Sequence, residues 1–391
     1  MQLLTRTLTH TVCLCLLLLA GCVEPYSPEV IEGPNNFLVV DGTINGNGVT
    51  TVRLSRTQNI SVTGPPYVES GATLRLEEEQ GAQYPMVETA PGTYTNEGRL
   101  LDRNRKYRLY IRTESGQEYA SEYVTVKQTP PIDEVGWEAL DNTLQIYVNT
   151  HDPNNDTRYY RWEYEATWAF TAAYATYLKY DDSTGTIVAR TRADENIYNC
   201  WKTDYSTSLK LGTSAKLSSD VIYKYPILAL PSGSEELRLK YSVLVKQYAL
   251  TQEAYVYWET LRKNTESIGT LFDPLPSQLT GNVHSLSNAA EPVIGYVGAS
   301  SGQEKRIFVS HEELPREWRT FYPVCELDSV LPTPPNETFK DLAERFKGGY
   351  YMPVGEIYPP GAPSPIGYLG ATLRCVDCRL RGTNVKPDFW E

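Results

Sequence analysis

The sequence predicts a mainly β protein in which an N-terminal immunoglobulin-like β-sandwich precedes a larger β-rich domain with a few helices. Three observations carry this prediction. Short segments rich in Val, Ile, Tyr and Thr alternate with Gly, Pro and Asn, which is typical of antiparallel sandwiches. There are 29 Tyr but only 8 Phe, and tyrosine suits strands with one buried and one hydrated face. With 41% hydrophobic residues, 391 residues are enough for two domains.

The first 21 residues are typical of a lipoprotein signal peptide. Arg6 precedes an apolar run, Val12 to Ala20, which is too short to span a bilayer. The run ends in Leu-Ala-Gly-Cys22, which resembles the lipobox of bacterial lipoproteins. The resemblance implies cleavage before Cys22, a diacylglycerol thioether on its thiol and an acylated amino group, which together anchor the chain without crossing the membrane. An ordinary secretory signal with a chance cysteine is the alternative.

The mature chain divides into a tether, two domains and a joint. We expect residues 22–35 to be the tether and residues 36–128 to be the β-sandwich. Its predicted strands are Asn36 to Asp41, Val49 to Leu54, Thr73 to Glu78, Tyr107 to Arg112 and Glu118 to Val126. Residues 129–133 contain two prolines and predict a stiff extended joint. Residues 134–391 then form the second β-rich domain and its Cys-x-x-Cys tail.

Alternation and capping signals place the elements of the second domain. Thr143 to Thr150 and Leu237 to Val245 alternate apolar and polar residues and predict half-buried strands. Thr251 predicts the cap of a helix that runs to about Asn264. Thr338 with Asp341 resembles a capping arrangement, and it predicts a second helix that stops before two glycines, 348 and 349.

Four cysteines remain after signal removal and lipidation, namely Cys200, Cys325, Cys375 and Cys378. An even number in an exported chain predicts two structural disulfides. Four cysteines allow three pairings; we favour the local pairs Cys375–Cys378 and Cys200–Cys325, with a crossed arrangement as the alternative. We expect the tail to be pinned onto the second domain in this way, with Phe389 and Trp390 as apolar plugs. Zinc binding and a redox couple are the remaining alternatives.

The net charge of the chain restricts the classes of molecule that it can bind. The formal charge is −12, and removal of Arg6 with the signal makes the mature chain −13. A chain this acidic is unsuited to binding nucleic acid or to electrostatic docking on anionic lipid.

The sequence contains no strong catalytic motif. His151, His284 and His311 are accompanied by neither Gly-x-Ser-x-Gly nor His-Glu-x-x-His. Residues 152–163 mimic a calcium loop, but Thr157 stands where Gly is needed, so we favour an Asx-rich turn between two strands. A pair of catalytic carboxylates among the 48 acids stays open. We therefore expect no cofactor, no metal and no enzymatic activity.

The order of several short motifs resembles one known family. After Cys22 and Val-Glu-Pro, the matching segments are Leu38–Gly42, Pro130–Asp133, Asp152–Pro153, Tyr159–Trp162, Glu253–Trp258, Phe272–Pro276, Gly281–Val283, Ile294–Tyr296, Cys375–Cys378 and Pro387–Trp390. Together they resemble the Bacteroidota outer-membrane lipoprotein family described as domain of unknown function 4249 (DUF4249).

That resemblance implies an address and a partner but no reaction. Family members are typically encoded near TonB-dependent outer-membrane receptors, so we expect an outer-membrane lipoprotein anchored through Cys22. Its expected role is a non-enzymatic accessory or ligand-capture partner of a TonB-dependent receptor barrel. The alternative is a stand-alone surface lipoprotein that binds a glycan or a protein, and a hydrolase comes third. The ligand itself is not implied, nor is the face of the membrane.

Overall fold

A computed structural model describes residues 36–59, 62–191, 194–266, 279, 281–320, 325–333 and 337–391. The predicted signal peptide, Cys22 and the predicted tether lie outside these residues, as does the Phe272–Pro276 motif. None of the helices in the described ranges is both long and apolar enough to cross a membrane.

Strands dominate the chain. The strands of the first third are β1 (Leu38–Asn45), β2 (Asn47–Gly48), β3 (Thr51–Arg56), β4 (Thr73–Glu78), β5 (Gln83–Pro85), β6 (Val87–Ala90), β7 (Thr93–Thr95), β8 (Arg99–Leu100), β9 (Lys106–Arg112), β10 (Glu118–Ser121) and β11 (Val124–Thr125). The middle of the chain contains β12 (Ile132–Leu140), β13 (Thr143–His151), β14 (Tyr159–Thr171), β15 (Leu178–Asp181), β16 (Thr186–Ala189), β17 (Asn199–Tyr205), β18 (Lys210–Thr213), β19 (Val221–Pro231) and β20 (Lys240–Ala249).

The last part of the chain mixes strands with short helices. Its strands are β21 (Val283–Ser285), β22 (Ala299–Ser300), β23 (Gly302–Ser310), β24 (Asp328–Val330), β25 (Tyr351–Ile357) and β26 (Gly367–Thr372). The α-helices are α1 (Gln252–Glu266), α2 (Phe339–Glu344) and α3 (Leu373–Val376), and 3-10 turns cover Glu235–Leu237, His311–Glu313 and Cys378–Leu380.

The first sandwich consists of two sheets, in the orders β22-β1-β3-β7-β6 and β21-β10-β9-β4-β5, with β11 on β9. Alternation along each strand sends one set of side chains into the shared core, as Leu38, Val40 and Ile44 show in β1. The assignment of residues 134–391 to the second domain is wrong in one respect. Strands β21 and β22 return to the first sandwich, and Val283 and Val297 pack in its core.

The second sandwich packs the sheet β12-β13-β19 against the sheet β17-β14-β20-β23, with β18 on β14. The predicted inward face of β13, which carries Leu144, Ile146 and Val148, is confirmed because all three are fully buried. The expected strand Leu237 to Val245 begins later. Leu237 lies in a 3-10 turn that breaks the alternation, so Leu239 is exposed while Tyr241 and Val243 face the core.

A smaller C-terminal unit consists of the sheet β24-β26-β25, the hairpin β15-β16, and helices α2 and α3. The predicted capping of α2 is confirmed. The Thr338 hydroxyl accepts from the Asp341 amide, and the Asp341 carboxylate accepts from the Thr338 amide. Leu342 and Phe346 bury the inner face of this helix.

Helix α1 begins where the sequence predicts it. The Thr251 hydroxyl accepts a hydrogen bond from the Ala254 amide at 3.2 Å, which caps the helix. Ala254 is buried, and Trp258 packs in the same cluster as Tyr296. Because Tyr296 lies between β21 and β22 of the first sandwich, α1 joins the two sandwiches.

Candidate functional site

A cleft of about 590 Å³ lies between the two sandwiches. One wall is the outer face of β1 and β3, which presents Asp41, Thr43 and Arg53. These positions point outward because their neighbours in sequence fill the first core. The other wall is the outer face of β14, β20 and β23, opposite the second core. The volume falls in the range of ordinary small-molecule sites.

Backbone hydrogen bonds fix the two walls relative to each other where two chain segments cross between the sandwiches. The Lys127 amide donates to the Ala299 carbonyl, and the Ser301 amide donates to the Lys127 carbonyl, both at 2.9 Å. At the cleft floor the Asn47 side chain donates to the Gly302 carbonyl at 3.1 Å and accepts from the Gly302 amide at 2.9 Å. A second chain segment, 299–302, therefore connects the sandwiches beside the predicted joint at 129–133. The sequence did not indicate this second connection.

A buried glutamine strengthens this joint from inside the second sandwich. Gln247 is fully buried, and its carbonyl oxygen accepts from the Trp162 indole N–H at 2.8 Å. Its amide nitrogen donates to the Pro130 carbonyl at 2.9 Å and to the Thr150 hydroxyl at 3.0 Å. All the polar atoms of this side chain are satisfied, so the network holds the joint rather than destabilising the core.

Arg161 is the most enclosed charged group of the cleft, with 8% of its surface exposed. Its guanidinium lies 4.6 Å from the ring centre of Trp258 on α1 and 5.3 Å from that of Tyr248 on β20. Nη2 donates to Glu163 at 2.6 Å. Two of the segments that carry the family resemblance, Tyr159–Trp162 and Glu253–Trp258, therefore meet at this arginine.

The register of the sheet arranges the charges of this wall in rows. Glu163 pairs across strands with Lys246, which in turn lies opposite Glu304. In the next row Arg161 lies opposite Tyr248, and Tyr248 lies opposite Gly302. Burial, reinforced by the charge of Glu163, raises the pKa of Tyr248 to about 12, so its hydroxyl stays protonated at neutral pH.

The four predicted disulfide candidates form two disulfides, but the favoured local pairing is wrong. Cys200 bonds to Cys378 and Cys325 bonds to Cys375, which is the crossed arrangement. Cys375 belongs to α3 while Cys378 begins a separate 3-10 turn, so successive cysteines of the tail meet different parts of the chain. These bonds lie in the second sandwich and the C-terminal unit, away from the cleft residues.

The tail docks on the second sandwich. Thr383 pairs with Trp201 of β17 through two backbone hydrogen bonds of 2.8 and 2.9 Å. Trp390 is buried and packs edge-on against Trp201 and Phe308, with ring centres 6.5 and 5.6 Å away. Phe389 is partly buried, and the Arg306 guanidinium lies 3.6 Å from its ring centre.

In the described ranges the calcium-like loop is a hydrogen-bonded turn, and His151 and His311 pair with other groups. The Asp152 carboxylate accepts from the amides of Asn154, Asp156 and Thr157, and this confirms the Asx-rich turn. The described ranges contain no cluster of three or more His, Cys, Asp or Glu side chains suited to a metal ion. His151 instead pairs with Asp133 at 2.7 Å, and His311 lies within 3.0 Å of the Leu237 carbonyl.

Sequence reasoning did not predict the cleft. In the sequence, Asp41 and Arg161 belong to motifs of the family resemblance, and no pattern marks Lys246, Tyr248 or Ser300 as site residues. The alternation along each strand indicates which side chains face away from the core. It does not indicate which two outward faces lie opposite each other.

Comparisons with solved structures give only distant similarities. The chain is 10% identical to the chicken CNTN1 FN1–FN3 domains, covering 53% of this chain and 58% of that chain, with a TM-score of 0.16. It is also 10% identical to a chain of a cytokine receptor complex, covering 54% of this chain and 90% of that chain, with a TM-score of 0.18. Similarities this weak carry no argument, and the fold assignment rests on the observed sheets.

A family comparison is more informative. No curated protein matches the chain. The family model described as "Domain of unknown function (DUF4249)" matches residues 23–306. The match includes both walls of the cleft and ends before the cysteines of the tail. The predicted family is thereby confirmed, and the chain belongs to the DUF4249 family.

Proposed function

We propose that this protein is a non-enzymatic, lipid-anchored outer-membrane protein that captures a ligand in the cleft between its sandwiches, as an accessory partner of a TonB-dependent transporter. The observation that carries this proposal is the cleft itself. Its polar walls come from two domains whose relative position is fixed by paired backbone segments and by Asn47. A site with fixed walls binds without a large ordering cost.

The anchor and the partner are supported by the sequence. The predicted signal peptide, residues 1–21, and the Cys22 that follows it resemble those of lipoproteins, and the family resemblance implies a genomic association with TonB-dependent receptors. A tethered protein is confined near the barrel, which raises the effective concentration of captured ligand at the transporter.

Native purification tests this proposal. The mature lipidated protein, extracted from outer membrane in a mild detergent, is expected to bring down a TonB-dependent barrel in near-equal amount. A barrel complex known to survive the same detergent provides the control. Recovery of the protein alone while the control complex stays intact would contradict the partner role.

Exposed aromatic side chains favour a second candidate, a stand-alone binder of glycan or protein. Tyr223 and Tyr350 are 74% and 81% exposed, and both lie outside the cleft lining. Exposed tyrosines of this kind are common at binding surfaces because they offer a large contact area at low entropic cost. Binding to a glycan array in the absence of any barrel would favour this candidate.

A further inference from the structure

Two residues of the cleft carry buried polar atoms without a partner. Within the described ranges, Arg161 Nε and Ser300 Oγ are buried and make no hydrogen bond, although both side chains line the cleft. Ser300 is 2% exposed and Arg161 is 8% exposed. A buried polar group left unpaired costs stability, so such groups in a folded protein call for a specific explanation.

The chemistry of these two groups indicates an acceptor. The Arg161 guanidinium makes one hydrogen bond among the described residues, from Nη2 to Glu163, and its remaining N–H groups can only donate. The Ser300 hydroxyl also donates. A carboxylate accepts several hydrogen bonds and matches the planar fork of arginine, so it is the ligand group that satisfies both residues.

The rest of the cleft restricts what can carry this carboxylate. Glu163 and Glu304 flank Lys246, so a ligand with many negative charges would be repelled. β1, β14 and β20 have neighbours on both sides, whereas β23, which contributes residues 302–304, is the outermost strand of its sheet. A peptide that pairs with this edge is therefore the competing ligand, and N-acetyltriglycine represents it in the test below.

The remaining polar side chains of the cleft are suited to a ligand that carries hydroxyl groups. Thr43, Thr51 and Gln303 also line the cleft, and their side chains both donate and accept, as ligand hydroxyls do. Gly302 lies opposite Tyr248, and a Cβ placed at this glycine would be 3.7 Å from Tyr248 Cε1. No side chain of residue 302 therefore packs on Tyr248, and an aromatic ring of this kind is suited to pack against the apolar face of a sugar.

We infer that the cleft binds an oligosaccharide with a single carboxylate, and that Arg161 and Ser300 hold the carboxylate while Tyr248 packs against a sugar ring. This inference rests on the proposed capture function and names the ligand class for the same site.

Calorimetry on the mature detergent-solubilised protein tests it with three probes. Sialyllactose carries one carboxylate on a trisaccharide, lactose is its uncharged counterpart, and N-acetyltriglycine carries one carboxylate on a peptide. Sialyllactose is expected to bind at least about tenfold more tightly than either of the others, since a hydrogen-bonded charge pair is lost with lactose. Equal binding of lactose, tighter binding of N-acetyltriglycine, or no binding of sialyllactose would overturn the inference.

Variants locate the carboxylate. Arg161→Gln is expected to weaken sialyllactose binding about tenfold or more, and to weaken the binding of lactose, which has no carboxylate, by a smaller factor. Ser300→Ala is expected to weaken it several-fold while the melting temperature stays the same or rises, because the variant removes an unpaired buried hydroxyl. Lys263→Gln removes a cation on α1 that is paired with Glu259 outside the cleft, and it serves as the charge control.

Unchanged sialyllactose affinity in folded Ser300→Ala and Arg161→Gln proteins would overturn the assignment of these residues. Loss of the barrel in native purification, with sialyllactose binding intact, would instead count against the proposed transporter partnership alone.

Discussion

The disulfide between Cys200 and Cys378 ties the C-terminal tail to β17 across 178 residues of sequence. The second disulfide, between Cys325 and Cys375, closes a loop of only 50 residues. Both join elements around the second sandwich and the C-terminal unit, and both Cys375 and Cys378 are buried.

Loop length predicts unequal contributions from these disulfides. On a loop-closure entropy basis, the longer loop stabilises by about 5 kcal/mol and the shorter by about 4 kcal/mol. We therefore expect the Cys200→Ala/Cys378→Ala protein to lose about 1 kcal/mol more unfolding free energy than Cys325→Ala/Cys375→Ala. Denaturant unfolding of both variants measures the difference. Peptide mapping of the unreduced protein checks the pairing, and a Cys375–Cys378 linked peptide would contradict it.

Trp390 is the second attachment point of the tail. Because its ring is buried against Trp201 and Phe308, Trp390→Ala is expected to cost about 3 kcal/mol and to expose the tail to proteolysis. Val385→Ala is the matched control, since Val385 is 68% exposed in the same segment. Similar protease sensitivity of the two variants would show that Trp390 does not hold the tail.

The pair of His151 and Asp133 predicts a pH dependence at the joint. The hydrogen bond and the charge of Asp133 raise the pKa of His151 above its ordinary value of 6.5. A raised folded-state pKa contributes stability that is complete below pH 6.5 and is lost as the pH rises through the folded pKa. NMR titration of His151 is expected to give a pKa that falls in Asp133→Asn. An unchanged pKa in that variant would contradict the pairing.

Local elements could be predicted from the sequence because local physics determines them. The alternation of Leu144, Ile146 and Val148 places β13, and the Thr338–Asp341 capping box starts α2. The return of β21 and β22 to the first sandwich could not be predicted in this way. Val283 and Ala299 are short apolar signals whose partners, in β10 and β1, lie more than 150 residues earlier.

The cysteine pairing and the cleft could not be predicted either, because both depend on contacts between segments that are distant in sequence. Cys375 and Cys378 are close in sequence, but α3 ends between them. Cys375 therefore bonds to Cys325 while Cys378 bonds to Cys200. Arg161 likewise contacts Trp258, and lines the same cleft as Ser300, only in the assembled fold. Strand periodicity indicates that Arg161 alternates with buried neighbours, and it contains no information about the opposite wall.

The proposed lipid anchor at Cys22 predicts that loss of this cysteine changes where the protein is found. Cys22→Ser removes the thiol that would carry the lipid, so the variant protein is expected to leave the membrane fraction or to stay unprocessed. Fractionation with mass measurement of the N-terminus tests this, and Cys13→Ser, within the signal peptide, is the control. A Cys22→Ser protein that is mature and membrane-bound would show that the protein is held in another way.

The central claim, that a ligand binds between the two sandwiches, is tested most directly by amide hydrogen exchange with and without saturating sialyllactose. The account predicts slowed exchange in segments from both walls, 41–53 and Ser300 on one side and 161–163, 246–248 and 302–304 on the other. Slowing on one wall only, or only at surfaces remote from the cleft such as the tail around Trp390, would contradict it.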